Sequence, residues 1–167
     1  GGSRRWIMQA VERSLRALRT DHIDLYQMHR PDPATDVDET LSALSDLVRQ
    51  GKVRAIGSSS MRGSEIVEAQ WTAERRGHER FRTEQPNYSI LDREIEREIL
   101  PVTQRYGMGT LVYSPLAGGS LTGKYRAGRA NETFRAATGM RHFRDERRLA
   151  VIEQLIGLAQ EAGMPLS

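Results

Sequence analysis

The sequence predicts an α/β chain that forms part of a (β/α)8 barrel, with four parallel strands and their flanking helices. Three observations lead there. Strand-like runs recur at about 30-residue intervals, each followed by an amphipathic helical pattern, the period of a βα unit. The chemically distinctive residues fall at the carboxyl end of each run, where barrel enzymes build their sites. The chain has 167 residues, short of the roughly 200 to 250 that a complete barrel takes, and its four βα units are half of one. The four runs are IDLYQMHRPDP (Ile23 to Pro33), VRAIGSSS (Val53 to Ser60), FRTEQPNYS (Phe81 to Ser89) and TLVYSPLAGGSLTGKY (Thr110 to Tyr125).

Each element has its own local signal. A first helix runs from a Ser3 cap to about Arg19, with Ile7, Val11, Leu15 and Leu18 on one stripe. Strand one covers Ile23 to Met28. Helix two opens with Asp36 and Glu39 as a capping-box-like pair, buries Leu41, Leu44 and Val48, and stops at Gly51. Strand two is Val53 to Gly57. Helix three covers Gly63 to Arg76, with Ile66, Val67, Trp71 and Ala73 inward and Gly77 as its stop. Strand three is Phe81 to Gln85.

Helix four carries Ile95, Ile99, Val102 and Tyr106 on one stripe. Pro101 lacks an N–H there, which predicts a kink or two short helices. Strand four is Thr110 to Tyr113, followed by a long Gly- and Arg-containing loop from Leu116 to Thr138, of the kind that covers ligands. The last helix, Asp145 to about Ala162, has Leu149, Ile152, Ile156 and Ala159 on one stripe and ends at Gly163 and Pro165. Residues 1–167 are expected to belong to one partial barrel domain, truncated at both ends.

Composition narrows the function classes. The chain is 38% apolar and 28% charged, and no apolar run approaches the roughly 18 residues of a membrane span. Without cysteine there is no thiolate chemistry or cysteine-ligated metal, and a reducing cytoplasm is the expected compartment. The start, GGSRRW, has no apolar signal region. The pI is near 9.6, but the net charge is only +3 and acidic residues interleave the arginines, so no nucleic-acid partner is expected. No GxGxxG follows the first strand and no GxxxxGK[ST] occurs, which removes the main support for a Rossmann or P-loop nucleotide site. No metal site is expected.

The strand ends hold the candidate chemistry. His29 closes an apolar strand, and Pro31 and Pro33 turn the backbone out of the sheet. Its imidazole can donate to a carbonyl oxygen as charge develops, or it can serve as a turn histidine bonded to nearby backbone. Gly57, Ser58, Ser59 and Ser60 offer hydroxyls and close backbone approach to an amide or phosphate, or cap the next helix. Gln85 and Asn87 carry amides that donate and accept, or satisfy backbone groups. Tyr113 can stack on a planar heterocycle or simply fill core. Ser114, Pro115 and the backbone of Leu116, Ala117, Gly118 and Gly119 can ring a pyrophosphate, with Lys124 adding charge.

The motifs DHIDLYQMHRPDP, GKVRAIGSSS, EQPNYSILDR and YGMGTLVYSPLAGGSLTGKY, in this order and spacing, resemble the aldo-keto reductase superfamily from its fourth to its seventh strand. The resemblance covers nearly the whole chain and lies closest to the bacterial branch that also resembles voltage-gated potassium channel β-subunits. It implies NADP(H)-dependent reduction of an aldehyde or ketone, with a tyrosine acid, a lysine, an aspartate and a carbonyl-orienting histidine. It makes His29 that histidine. It also implies that Ser59 and Gln85 hold the nicotinamide carboxamide, that Tyr113 stacks on the nicotinamide, and that Ser114, Leu116, Gly118 and Lys124 line the pyrophosphate. Pro115 and Ala117 belong to the same cradle, and Arg135 is a candidate for closing over it.

Two departures matter. Ser60 stands where most members carry asparagine, which shortens one carboxamide contact. The tyrosine, lysine and aspartate belong to strands upstream of Gly1, and the segment that reads the adenosine 2′-phosphate lies downstream of Ser167, so the chain alone is expected to be inactive. Tyr26 and Tyr88 are poor substitutes: no lysine accompanies either, and Tyr26 lies on the opposite strand face from His29. The expected partners are a small carbonyl substrate and either the missing barrel half or a second copy, because unpaired strand edges invite association. The competing reading is a non-catalytic nucleotide-binding or self-associating half-barrel, like the channel β-subunits. A flavodoxin-like open sheet is also compatible with four strands, but its strand ends need not converge.

Overall fold

The structure, a computed structural model, describes residues 1–123 and 145–166. In chain order they form α1 (Arg4–Leu18), β1 (Ile23–Met28), α2 (Val37–Arg49), β2 (Val53–Ser59), α3 (Gly63–Arg76), β3 (Thr83–Gln85), a 3-10 turn (Glu94–Glu96), α4 (Ile99–Arg105), β4 (Gly109–Thr110), a 3-10 segment (Ala117–Thr122) and α5 (Glu146–Glu161). The strands make one parallel sheet in the order β1-β2-β3-β4. Consecutive parallel strands joined by helices are the repeating unit of a βα-barrel. No helix among the described residues is long and apolar enough to cross a membrane.

The described residues fall into two compact units, Gly1–Asn87 with Glu94–Tyr113, and Tyr88–Arg93 with Ser114 onward. The first unit holds the sheet. Its core lies between sheet and helices, where Ile7, Val11 and Leu15 of α1, Leu41, Leu44 and Leu47 of α2, Ile56 of β2, Ile66 of α3 and Phe81 are all buried. Alternation along a strand sends every second side chain to that layer and the others to the opposite face. The opposite face of β1 to β3 carries Gln27, Gly57, Thr83, Ser59 and Gln85, in register as Gln27↔Gly57 and Ser59↔Gln85.

Gly57 is glycine for want of room. A Cβ there would lie 2.1 Å from Thr83 Oγ1 and 3.2 Å from both the Thr83 carbonyl oxygen and Gln27 Cγ. Thr83 cannot swing aside without giving up the bond that its hydroxyl donates to Gln27 Oε1 at 3.1 Å. We expect Gly57→Ala to destabilise the fold by about 1–3 kcal/mol through overpacking, read as a lower urea midpoint at unchanged slope.

Several local expectations require correction. Glu39 does not complete a capping box on α2: the Asp36 carboxylate accepts from Asp38 N–H at 2.8 Å, while the Glu39 carboxylate accepts from Arg4 N–H at 2.9 Å. Glu39 therefore caps α1, a use that only the tertiary fold provides. Leu18, expected on the α1 stripe, is exposed, because the chain turns left-handed at Arg19, φ 55°. In α3 the buried positions are Gly63, Ile66, Ala69, Gln70 and Ala73, and Val67 and Trp71 face outward. The small alanines and Gln70, whose Nε2 donates to the Phe81 carbonyl at 2.9 Å, line the packed face. Trp71 instead lies beneath the Arg75 guanidinium, 4.7 Å from the ring centre.

The region around Pro101 becomes two short helical pieces, and the break precedes the proline. Pro101 sits at the third residue of α4, within the first turn, where an N–H has no intrahelical partner to lose. Strand three is shorter than expected, Thr83–Gln85, with Phe81 buried just before it. Strand two is longer and runs to Ser59. Strand four is regular only at Gly109–Thr110. Beyond it the Leu111 and Tyr113 amides still donate to Glu84 O and Pro86 O, both at 3.0 Å, but Pro86 has no N–H to return and the ladder thins to an isolated Asn87↔Tyr113 bridge.

The second unit has its own small core. Leu121, Ile152 and Ile156 are buried, with Leu91, Ala117, Leu155 and Leu166 packed against them. Arg148 makes a paired bond to the Asp92 carboxylate, one arm at 3.1 Å, fixing α5 to the Tyr88–Arg93 segment.

Candidate functional site

The carboxyl ends of β1, β2 and β3, together with Tyr113, enclose a cavity of about 330 Å³ lined by Gln27, His29, Arg30, Ser59, Ser60, Gln85 and Tyr113. Five residues singled out in the sequence, His29, Ser59, Ser60, Gln85 and Tyr113, thus meet in one place. All lie in the first unit.

His29 follows the last residue of β1 and is exposed. Among the described residues no hydrogen bond holds its ring, so the role of a turn histidine tied to local backbone is not the one it takes. Ser59 donates its hydroxyl to the Gln85 carbonyl at 2.8 Å, which leaves the oxygen lone pairs to accept. Ser60 sits at φ 57°, a left-handed conformation in which asparagine is enriched several-fold among non-glycine residues. That backbone demand is one that the asparagine implied at this place by the family resemblance would also meet. Tyr113 is 37% exposed, so its ring is available as an apolar surface at the rim.

Gln27 escaped the sequence reading. Its Nε2 donates to Gln85 Oε1 while its Oε1 accepts from Thr83, a chain of bonds that fixes which way both amides point and turns the Gln85 NH2 outward as a donor. The signal was present in the sequence. Gln27 lies two residues before His29 and therefore on the same strand face. Tyr26, the preceding residue on the other strand face, has its phenol pushed above the usual range by burial, against a bond with Ser14, the wrong direction for a proton donor at neutral pH.

Behind the sheet, Glu84 is fully buried on β3. Its Oε2 accepts from Ser58 Oγ at 2.5 Å and its Oε1 from Met61 N–H at 3.2 Å. Burial pushes the Glu84 carboxyl upward, against these bonds and one from the Ser60 amide, and the like charge of Glu65 adds to the rise.

The remaining expected residues lie in the second unit or outside the described residues. Ser114 and Ala117 adopt positive φ, 56° and 47°, followed by Gly118 at 68° and Gly119 at 102°. The Ala117 and Gly119 amides donate to Ser114 O and Leu116 O at 2.8 Å, so these two N–H groups are engaged in turns. Pro115 has no N–H to offer, and Leu116 is exposed. Lys124 and Arg135 lie outside the described residues. Among the described residues no group of three or more histidine, aspartate or glutamate side chains is arranged to hold a metal.

Comparison with known proteins agrees with this architecture. The profile of the Aldo/keto reductase family matches residues 1–167. The chain is 48% identical over 118 residues to the uncharacterized oxidoreductase YrpG of Bacillus subtilis, covering 71% of this chain and 36% of that protein. It is 37% identical over 171 residues to the aldo-keto reductase dtxS3 of Metarhizium robertsii, covering 100% and 46%. A solved glycerol dehydrogenase from Gluconobacter oxydans superposes with a TM-score of 0.84 at 30% identity, covering 99% of this chain and 50% of its own. The chain therefore spans half or less of the length of these relatives. With the family profile matched from end to end and four consecutive parallel strands in the same fold, the chain belongs to the aldo/keto reductase family.

Proposed function

We propose that this chain is the later part of an NADP(H)-dependent reductase that converts an aldehyde or ketone to an alcohol. One observation carries the reading: His29, Ser59, Ser60, Gln85 and Tyr113 converge on a single cavity at the strand ends. The residues fit a nicotinamide. A carboxamide needs both donors and acceptors, which the outward Gln85 NH2 and the Ser59 oxygen supply, and a planar ring needs an apolar face, which Tyr113 supplies. When bound, the reduced dinucleotide supplies the hydride. The chain's own contribution is to orient the ring and to stabilise charge on the carbonyl oxygen through His29.

The proton for that oxygen is assigned to a tyrosine on strands outside this chain, assisted by a lysine and an aspartate. On this reading residues 1–167 alone bind dinucleotide but reduce little or no carbonyl. Ser114, Pro115, Leu116, Ala117, Gly118 and Lys124 are the proposed pyrophosphate contacts.

A second reading rests on exposed apolar surface. Leu111 and Val112 at the β4 end are 44% and 43% exposed, and β1 and β4 have no outer strand partner among the described residues. A self-associating, non-catalytic nucleotide-binding protein would use that surface. The deciding experiment is a fluorescence titration with NADPH, repeated with the upstream strands supplied. We expect binding that weakens about tenfold or more in Tyr113→Ala, the loss of one good aromatic contact. Binding indifferent to Tyr113, or absent in both forms, would sink the cofactor reading. A tight homodimer without turnover after the upstream strands are added would favour the second.

A further inference from the structure

Glu84 has no part in the site as described so far, yet it is the only carboxylate among the described residues that is buried, and no lysine, arginine or histidine hydrogen-bonds it. A buried carboxyl without a cationic partner is costly, and an apolar side chain of similar size would fill the space more simply. What Glu84 touches is the turn after β2. Ser58 Oγ and the Met61 amide donate to its two oxygens, and Ser60, between them, is held at φ 57° with its own amide directed at the β3 end, 3.3 Å from Gln85 O. On the other side of the sheet, Ser59 and Ser60 of that same turn line the cavity.

We propose that Glu84 is a positioning residue: from behind the sheet, it holds the Ser58–Met61 turn in the shape that lets Ser59 and Ser60 meet the amide of a nicotinamide ring. The proposal rests on the dinucleotide reading above. The hydrogen bonds work in either protonation state of the carboxyl. When ionised, Glu84 accepts from the Ser58 hydroxyl. When protonated, it donates to Ser58 Oγ, whose own hydrogen turns to the Thr83 carbonyl oxygen 3.3 Å away, and the Met61 bond persists in both. A glutamine reproduces the second arrangement, its NH2 donating to Ser58 Oγ and its oxygen accepting from Met61. A methionine fills the volume but holds nothing.

The test compares the parent chain with Glu84→Gln, Glu84→Met and Ser58→Ala by amide hydrogen exchange across residues 58–62 and by NADPH titration, with and without the upstream strands. We expect Glu84→Gln to keep the parent's affinity within about twofold. Glu84→Met should bind about tenfold more weakly and exchange its Ser60 and Met61 amides at least tenfold faster, the loss of one buried polar anchor, while the α2 amides of Leu44 to Leu47 stay protected. Ser58→Ala should move both readouts in the same direction by a smaller factor, and together with Glu84→Gln it decides the matter if Glu84→Met does not fold. Parental exchange in Glu84→Met, or a loosened turn with undiminished affinity, overturns the proposal. If the parent itself binds no NADPH in either form, the functional reading fails and this role with it. If the parent binds and Glu84→Met binds equally well, only this role fails.

Discussion

On the proposed reading, replacing His29 by leucine in a completed barrel is expected to lower kcat for carbonyl reduction by about 10²–10³-fold, the usual loss when one donor to a developing oxyanion is removed. The dinucleotide dissociation constant should stay within about twofold, because an interaction made only as charge develops on oxygen leaves ground-state cofactor binding untouched. The structure gives the reason for so local an effect. His29 stands at the end of β1, exposed at the cavity with Gln85 and Tyr113, and no hydrogen bond among the described residues ties its ring to the scaffold. His29→Gln, which keeps a donor, should lose less. Stopped-flow reduction of a simple aromatic aldehyde separates the cases. An unchanged kcat in His29→Leu would remove His29 from the chemistry, whereas a large rise in the dinucleotide dissociation constant would recast it as a binding residue.

Phe81→Ala is expected to cost about 3–5 kcal/mol of unfolding free energy, the range for deleting a fully buried ring. Against a typical total of about 5–15 kcal/mol, that is enough to leave much of the chain unfolded at 37 °C. Phe81 is 1% exposed in the core between sheet and helices. It precedes β3 directly, its carbonyl accepts from buried Gln70, and the next amide, Arg82 N–H, donates to Ile56 O at 2.8 Å. A cavity at Phe81 therefore weakens the start of the strand that carries Glu84 and Gln85. Trp71→Ala is the control: Trp71 is larger but 55% exposed, and its removal should change stability by no more than about 1 kcal/mol, the worth of an exposed ring under a guanidinium. Urea denaturation of both variants reads the contrast, and a Trp71 cost rivalling that of Phe81 would mean that the packed face of α3 is misassigned.

The contrast within α3 shows how far sequence alone reaches. Helical spacing identified the helix and both its ends, Gly63 and Gly77, because caps and periodicity are local properties of the backbone. It placed Ile66 and Ala73 inward, as they are, but added Val67 and Trp71 in place of Ala69 and Gln70, because a tryptophan and a valine outweigh an alanine and a glutamine on any hydrophobicity count. What decides the face is close approach to the neighbouring layer, and there Ala69 and Ala73 fit while Gln70 finds the Phe81 carbonyl. Glu39 is the same lesson in polar form. Its spacing from Asp36 suggested a local cap, but its carboxylate is closer to a different helix's unsatisfied amide.

By itself the sequence determined the alternation of strands and helices, the parallel class and the polar and aromatic residues at the strand ends, since each of these follows from patterns a few residues long. It marked His29, Ser59, Ser60, Gln85 and Tyr113 one at a time. Only the tertiary structure gathered them around one cavity, because parallel register sets Gln27 beside Gly57 and Ser59 beside Gln85 across strands about 30 residues apart in the chain. It alone supplied the parts with no local signature: the Gln27 amide that fixes the direction of Gln85, the Thr83 side chain that leaves room only for glycine at position 57, and the buried Glu84 that holds the turn from behind. Those roles depend on distances between segments far apart in the chain, and spacing along a sequence does not encode them.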